Sequence, residues 1–523
     1  MATSPEAIAT FLHAIHAPPL LAKGREPAQL LEDIYNCTGV EYAELTSSRT
    51  HQLEGVAFAL YQRSALLFYW MRLGKSKIAL DWATHLIRAG FAKKKCLIIA
   101  HAPVGVEVWQ TQVAAHSVLE CVSVRSGPSA THMWCEAVAG NADIIIVARQ
   151  TIQALFTFKK LNRKGAPTLY PDRALLQEFG TFFDLAIIDE THVYANPYGL
   201  PFDLVKELTH ACKYRLGLTG TPIGRDAYAI WAQAYLIDRG KHFGYNFNFF
   251  TEAFGKKKKT PFSKSGYVFV FDTAKQPLLQ YKLDSIALAY GKDEVYEAPV
   301  VSNIVDLRML GQQRKAYNEV VEKLIKLSRD EQVAITNTFH KLRQIASGYL
   351  VFDDEGKRHT VHFPNSPKLA WLSSWLEELP SSTPCLIFHE YIHTGEVIAA
   401  ALTKQKISHA TLHGRTRDKD SVLAQFKSGR AQILVANSAT GGTAIDLPEV
   451  DYMCFFESPV DSRVRAQAQA RPMARGNRTL YMDDIVCAPV EHRVLGLLAE
   501  GRNLLHEVLH GDRIAIGELL RAH

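Results

Sequence analysis

Three short groups of residues in this chain have types and spacing suited to phosphate chemistry. The first is Gly74-Lys75-Ser76, within LLFYWMRLGKSKIALDWATHLI. An apolar run precedes it and an amphipathic helical pattern follows. A glycine turn opening a helix offers main-chain N–H groups to an anion. A lysine at this place reaches the β- and γ-phosphates of a nucleotide, and the next hydroxyl holds Mg2+. Leu73, Gly74, Lys75, Ser76 and Lys77 are therefore the candidate nucleotide cradle, with Lys75 as its catalytic cation. A complete GxxxxGK[ST] motif has glycine at position 69, where this chain has Tyr69, so G-K-S alone is a weak signal.

The second group is Ile187-Ile188-Asp189-Glu190-Thr191-His192, where an apolar run ends in two acids. A carboxylate at a strand end holds Mg2+, and a neighbouring one orients or deprotonates water. Ser76 and Asp189 are thus the candidate Mg2+ ligands, and Glu190 the candidate base. An acidic turn after a core strand looks the same in isolation. The third group is Leu218-Thr219-Gly220-Thr221-Pro222, again after an apolar run. Its hydroxyls suit a loop that senses phosphate, although a plain turn has the same composition. Together, an accidental origin needs three coincidences in the right order.

These groups need a scaffold that ends strands beside one another. Apolar runs at 65–69, 96–100, 144–148, 185–188 and 215–218 alternate with amphipathic stretches. Short continuous apolar runs separated by helical periods are strands of a parallel sheet covered on both faces. The rhythm lapses from 240 to about 365. That segment holds the aromatic KHFGYNFNFF, the lysine run at 256–259 and one long helical stretch at 311–347. It resumes with runs at 385–388, 408–412, 433–436, 452–456 and 479–482. The fold class is therefore α/β, with two parallel-sheet units and an irregular middle. The lysine run reads equally as a solvated loop or as a grip on a polyanion. The aromatic stretch reads as insertion core rather than as a strand-separating wedge.

Composition sets wide bounds. Hydrophobic residues make up 47% and charged residues 21%, which excludes a disordered or collagen-like chain. The net charge of +6 is mild for 523 residues; it permits a polyanionic partner without requiring one. No apolar run approaches the roughly 20 residues that span a bilayer. The start of the chain lacks the basic region of a secretory signal, and none of the eight Cys forms a C-x-x-C pair. Several Cys lie in apolar runs and read as reduced and buried, which points to a cytoplasmic location.

The ordered set G-K-S, D-E-T-H, T-G-T-P resembles motifs I, II and III of superfamily-two helicases. The surrounding residues are similar to those of Swi/Snf-type DNA translocases. THQLEGV at 50–56 resembles their glutamine segment, MRLGKS their M-G-L-G-K-T with Arg72 in place of a Gly, and LIIAHAPVGVEVWQTQV their motif Ia. LRQIASGYL at 342–350 and SPKLAWLSSWLEEL resemble the segments leading into the second lobe. LIFHEY at 386–391 resembles motif IV, and His413-Gly414-x-Thr416 followed by Phe426 resembles the segment after it. NSATGGTAIDL at 437–447 resembles motif V. Gln467-Ala468-x-x-Arg471 resembles motif VI. The family pattern is Q-A-x-x-R-x-x-R-x-G; here Ala474 takes the register of the second arginine, and Arg475 comes one residue late. The likeness covers roughly residues 45–490. The W-M-R-L-G-K-S variant and the compact size resemble phage-encoded members.

The resemblance implies two RecA-like lobes of the P-loop NTPase class, the first at 46–239 and the second at 366–490. A helical segment at 1–45, an insertion with bridging helices at 240–365 and a helical tail at 491–523 complete the chain. It implies ATP and Mg2+ as cofactors, Gln52 reading adenine, and Arg475 as arginine finger with Arg471 as its partner. Residues coupling hydrolysis to motion would be His192, Thr219, Thr221, Gly442, Asp446 and Gln467. Nucleic-acid contacts would fall on Pro103, Arg149, Thr151, Ser438 and Thr440. The implied function is ATP-dependent movement along duplex or branched DNA, in replication, repair or recombination, with no membrane partner. An RNA helicase using the same core, and a nucleic-acid-binding scaffold without ATPase activity, are the competing readings.

Overall fold

The computed structural model describes residues 23–161, 165–220, 227–259, 267–291, 294–295, 300–327, 331–354, 357–380, 383–441, 447, 450–472, 478–500 and 519–522. The chain divides into two compact units, residues 1–295 and 296–523.

The first unit contains β1 (Ala65–Tyr69), β2 (Lys95–Ala100), β3 (Cys121–Val124), β4 (Ile144–Ala148), β5 (Thr157–Leu161), β6 (Pro167–Pro171), β7 (Phe183–Ile188), β8 (Tyr214–Leu218), β9 (Gly255–Lys259), β10 (Tyr267–Phe271) and β11 (Ala287–Tyr290). Seven of these form one sheet in the order β11-β1-β8-β7-β2-β4-β3, and every pairing in it is parallel. Every residue of β1, β4 and β7 is buried, as expected of strands covered on both faces. At Gly217 in β8, an added Cβ would stand 2.7 Å from Leu66 Cδ2 and 2.8 Å from Thr191 Cγ2. Only glycine allows that close a packing between the strand and the turn after β7.

The second unit contains β12 (Val300–Asp306), β13 (Tyr349–Asp354), β14 (Lys357–His362), β15 (Cys385–His389), β16 (His409–Leu412), β17 (Ile433–Asn437), β18 (Tyr452–Phe455) and β19 (Leu480–Val486). Its six-stranded sheet runs β12-β19-β18-β15-β17-β16, also with every pairing parallel. All ten apolar runs read from the sequence are strands. Two RecA-like parallel sheets with flanking helices are thus the architecture, with the helix Pro27–Thr38 in the N-terminal segment.

The middle of the chain differs from the expected bridge. Strand β11 closes one edge of the first sheet and β12 one edge of the second, so 240–365 is shared between the units. β12 is mostly exposed, and its sequence lacks the apolar run of a central strand, whereas β11 is mostly buried. The helical stretch expected at 311–347 holds two helices, Gly311–Lys326 and Gln332–Ala346. Residues 256–259, read equally as a solvated loop or a polyanion grip, lie in a strand, β9, which pairs antiparallel with β10. Lysine is a poor strand former, but the Tyr-Val-Phe-Val-Phe partner is a strong one. The aromatic stretch is core as expected: Phe243 and Phe250 are buried, with ring centroids 5.5 Å apart.

One buried charge pair braces the second unit. Lys368 is 0% exposed; its Nζ donates to Phe456 O at 2.7 Å and pairs with Glu491. Glu491 Oε2 accepts from Cys487 N at 2.8 Å. Removing one partner strands the other charge in the interior. Lys368→Met is expected to cost the second unit about 3–5 kcal/mol in urea unfolding; a loss below about 1 kcal/mol would contradict this bracing role.

Candidate active site

The G-K-S group lies in the turn after β1. Gly74 is left-handed, with φ +82°, and is the N-cap of the helix Lys75–Arg88. An added Cβ there would lie 1.9 Å from Gln52 Nε2, a side-chain end that would have to move aside, while the left-handed backbone itself favours glycine. The helix's first i→i−4 bond runs from Ile78 N to Gly74 O at 3.1 Å. That leaves the N–H groups of Lys75, Ser76 and Lys77 as the anion-facing first turn. Arg72, standing where the resembled motif has glycine, also has positive φ, +65°. This backbone conformation costs a non-glycine residue about 1–2 kcal/mol.

The glutamine segment fastens this turn. Gln52 Nε2 donates to Leu73 O at 3.3 Å, and its Oε1 accepts from Arg49 N at 2.9 Å. His51 Nε2 lies 3.0 Å from the same Leu73 oxygen, and Tyr69 donates its hydroxyl to His51 O at 2.7 Å. Gln52, expected to read adenine, here binds the phosphate turn itself. Lys75 Nζ donates to Tyr69 O at 2.8 Å and Trp70 O at 3.4 Å. Burial lowers its proton affinity, while the Glu190 and Asp189 charges work the other way.

Lys77 is corrected. Its side chain is 4% exposed and its ammonium is engaged with Ser48 Oγ at 2.6 Å, Asp81 Oδ2 at 2.7 Å and Glu44 Oε2 at 3.3 Å. The third residue of a helix points away from the axis end, so Lys77 keeps only its main-chain N–H for a nucleotide. Its side chain instead clasps residues 44–48 onto the helix.

Asp189 and Glu190 follow β7. Asp189 Oδ2 accepts from Trp109 Nε1 at 3.0 Å and Oδ1 from Glu190 N at 3.0 Å. Burial, then the Glu190 charge, pushes its carboxyl up to about 6. Glu190 has φ +49°, a strained conformation of the kind that collects at functional sites. Burial raises its carboxyl too, but the His192 hydrogen bond and the Lys75 charge outweigh this and hold it below the usual range. Burial thus favours the proton on Asp189 while hydrogen bonding and the Lys75 charge favour the anion at Glu190, so the two adjacent carboxyls are electrostatically distinct. His192 Nδ1 lies 2.9 Å from Thr219 Oγ1 and 3.1 Å from Glu190 Oε2. Thr219 Oγ1 also donates to Glu190 Oε2 at 3.3 Å. The D-E-T-H and T-G-T-P groups therefore share one hydrogen-bonded triangle.

The nucleic-acid candidates divide. Pro103 opens the helix Pro103–His116 after β2, and Arg149 opens the helix Arg149–Leu155 after β4. Arg149 Nε is buried without a hydrogen-bond partner. Thr151 is 0% exposed, with Oγ1 2.6 Å from Ser126 Oγ, so its side chain serves packing. In the second unit Ser438 is also fully buried and donates to His389 O at 3.3 Å. These two side chains are corrected from contacts to supports: Thr151 is the third residue of its helix and Ser438 the first of the short helix Ser438–Gly441, and both are turned inward. Thr440 is partly buried, its N–H and hydroxyl on Asn437 Oδ1 at 3.2 and 3.4 Å.

Gln467 is partly buried on the helix Ser462–Gln469. Arg471 lies just past it, 5% exposed, its carbonyl accepting from Leu447 N at 3.2 Å. Thr221, Gly442, Asp446 and Arg475 lie outside the described residues. The sequence reading missed Glu457, which is 1% exposed. Its Oε1 accepts from Ser347 and from Thr394 Oγ1 at 2.8 Å; Oε2 accepts from Glu390 N at 2.8 Å and Tyr391 N at 3.2 Å. Asn437 Nδ2 then donates to Glu390 O at 2.7 Å. An acid directly after an apolar run, in FFESP, was the available signal.

With this geometry in view, family comparison is decisive. The model of the SNF2-related domain matches residues 51–362, and that of the Helicase conserved C-terminal domain matches residues 367–476. The chain belongs to the SNF2-related family. It is an ATP-hydrolysing DNA helicase or translocase of superfamily two, and family membership implies ATP and Mg2+ as its cofactors. Protein p41 of Acyrthosiphon pisum secondary endosymbiont phage 1 is 23% identical over 441 residues, 80% of this chain and 87% of that protein. Chromatin structure-remodeling complex subunit snf21 of Schizosaccharomyces pombe is 24% identical over 326 residues, 57% of this chain but only 26% of the subunit. Among solved structures, the Sulfolobus solfataricus SWI2/SNF2 ATPase core in complex with dsDNA is 19% identical, with TM-score 0.39, over 91% of this chain and 96% of that one.

The triangle yields a prediction. Thr219→Val removes the hydroxyl that His192 and Glu190 share and keeps the volume. We expect kcat for DNA-stimulated hydrolysis to fall at least about 10-fold, since misplacing a catalytic base forfeits part of a roughly 10²–10⁴-fold effect, while KM for ATP stays within about twofold. Equal kcat in variant and wild type would remove the triangle from the mechanism.

Proposed function

We propose that this SNF2-type protein is a translocase that moves along duplex DNA, with Lys75, Asp189 and Glu190 as its hydrolytic centre. The observation that carries the reading is the glycine-capped helix turn bearing Lys75, together with the adjacent acids Asp189 and Glu190 after β7 and the His192–Thr219 hydrogen bonds that hold Glu190. The main-chain N–H groups of Lys75–Lys77 would cradle the phosphates, and Lys75 would leave its carbonyl partners for the β/γ oxygens. Ser76 and Asp189 would hold Mg2+, which when bound neutralises phosphate charge. Glu190, kept anionic by His192, would orient and deprotonate the attacking water. Arg471 and Arg475 of the second unit are the candidates for the arginine that stabilises the transition-state charge.

DNA contacts would fall mainly on phosphates, through Pro103 and its turn, Arg149 and Thr440. Among the described residues no helix is long and apolar enough to cross a membrane. The phage relative, which matches most of the chain, supports a phage-encoded protein acting in the host cytoplasm. Duplex tracking is favoured over RNA unwinding because the glutamine segment, the L-R-Q-I helix and motif V all follow the Swi/Snf pattern. A role in phage DNA replication, repair or recombination fits that activity.

The test is ATP hydrolysis with no nucleic acid, duplex DNA, single-stranded DNA or RNA. Duplex DNA is expected to stimulate most, by at least about 10-fold, with Lys75→Ala abolishing hydrolysis through loss of electrostatic stabilisation of the transferred phosphoryl group. Stimulation by RNA alone, or hydrolysis unaffected by Lys75→Ala, would overturn the reading.

A further inference from the structure

The ribbon β9–β10 has no part in the hydrolytic centre, yet its composition is lopsided. One strand is Gly-Lys-Lys-Lys-Lys and the other Tyr-Val-Phe-Val-Phe. They pair antiparallel with Lys256 opposite Val270, Lys257 opposite Phe269 and Lys258 opposite Val268. The ribbon is rooted firmly. Asp272 N donates to Phe254 O at 2.9 Å, Phe271 packs against the first unit's core, and its ring meets Tyr228 edge-on at 6.0 Å.

Lys256, Lys257 and Lys258 are all exposed. Lysine stems can cover neighbouring apolar surface while their ammoniums stay in water, which explains how an apolar strand tolerates such a mate. It does not explain why all four residues carry one sign. Adjacent like charges repel, and mixed charges would solubilise the ribbon equally well. Between 252 and 275 the sequence has six Lys against only Glu252 and Asp272. Asp272 lies 3.7 Å from Lys256, and Lys275 adds a further cation at the root, donating to Ala253 O at 2.7 Å.

We propose that this ribbon is an accessory duplex-DNA grip, holding backbone phosphates through Lys256, Lys257 and Lys258. The proposal rests on the DNA-translocase reading and gives it a contact outside the helicase motifs. Lys256 and Lys258, alternate residues on one face of the strand, stand about 6.8 Å apart, two steps of about 3.4 Å along the duplex axis, while Lys257 on the other face would meet phosphates of the opposite groove wall. A two-stranded ribbon is also of a size that the major groove admits. Contacts of this kind position the protein without reading sequence.

The experiment is duplex-DNA binding by the full chain, without ATP, from 50 to 200 mM salt, for wild type and the triple variant K256A/K257A/K258A. Each neutralised phosphate contributes about −0.9 to the slope of log affinity against log salt. The variant's slope should be shallower by about 2.7, so that wild type loses about 40-fold more affinity than the variant across that range. The triple Lys→Arg variant should keep the wild-type slope. An unchanged slope in the alanine variant, with melting temperature intact, would overturn the grip. If the alanine variant does not fold, Lys258→Gln alone should lower the slope by about 0.9, and no change would count equally against the proposal. Absence of duplex-stimulated hydrolysis in the wild type would sink the underlying reading instead, so the two failures are separable.

Discussion

Everything in the first unit depends on holding one cation and two carboxylates together, largely out of water, before any ligand arrives. Desolvation alone would neutralise all three. The fold prevents this by ending β1, β8 and β7 as neighbours in one parallel sheet. The turn after β1 supplies Lys75, the end of β7 supplies Asp189 and Glu190, and Thr219 after β8 lies between them. The triangle of His192, Thr219 and Glu190 is a direct result of that strand order. On the other side of β7, strands β2 and β4 end at Pro103 and Arg149. Ligands of open α/β sheets bind beyond the carboxyl ends of the strands, and here one half of that rim carries phosphate chemistry and the other half the nucleic-acid candidates.

Much of this was legible because both period and punctuation were strong. Apolar runs such as Ile-Ile-Ile-Val-Ala and Phe-Asp-Leu-Ala-Ile-Ile admit little but buried strands, and the glycine at 74 marks a helix start. What could not be read follows from side-chain direction. Lys77 sits within a phosphate motif, yet helical rotation turns it toward Asp81 and Ser48. Thr151 and Ser438 stand just past the ends of β4 and β17 as expected, but in the first turns of their helices, with side chains facing the core. Edge strand β11 is mostly buried and carries an apolar run that the reading passed over; β12, by contrast, was illegible because its mostly exposed residues need no apolar run. The lysine strand β9 was hidden for a related reason: its strand character comes from its partner, not from its own residues.

The second unit solves a different problem. Its loops must be fixed relative to the helix Gln332–Ala346, whose end carries Ser347. Glu457 does this by accepting four hydrogen bonds, two from hydroxyls and two from main-chain N–H groups. The chain continues through Asn437 to the N–H of Thr440. Such a fully satisfied buried acid rigidifies its surroundings, and its loss would leave several donors unpaired. Burial raises the nearby Glu390 carboxyl to about 7, with Arg343 opposing the rise, so the region keeps charges whose balance depends on this packing.

If the Lys75 turn is a nucleotide site assembled in advance, ATP must stabilise the first unit through Lys75. Thermal unfolding of wild type and Lys75→Ala, with and without ATP and Mg2+, tests it most directly. A ligand at 100 times its Kd stabilises the folded state by about 2.7 kcal/mol. The account predicts an upward shift of that order in the first unit's transition for wild type, and none for the variant. An equal shift in both proteins would show that nucleotide binds elsewhere and would contradict it.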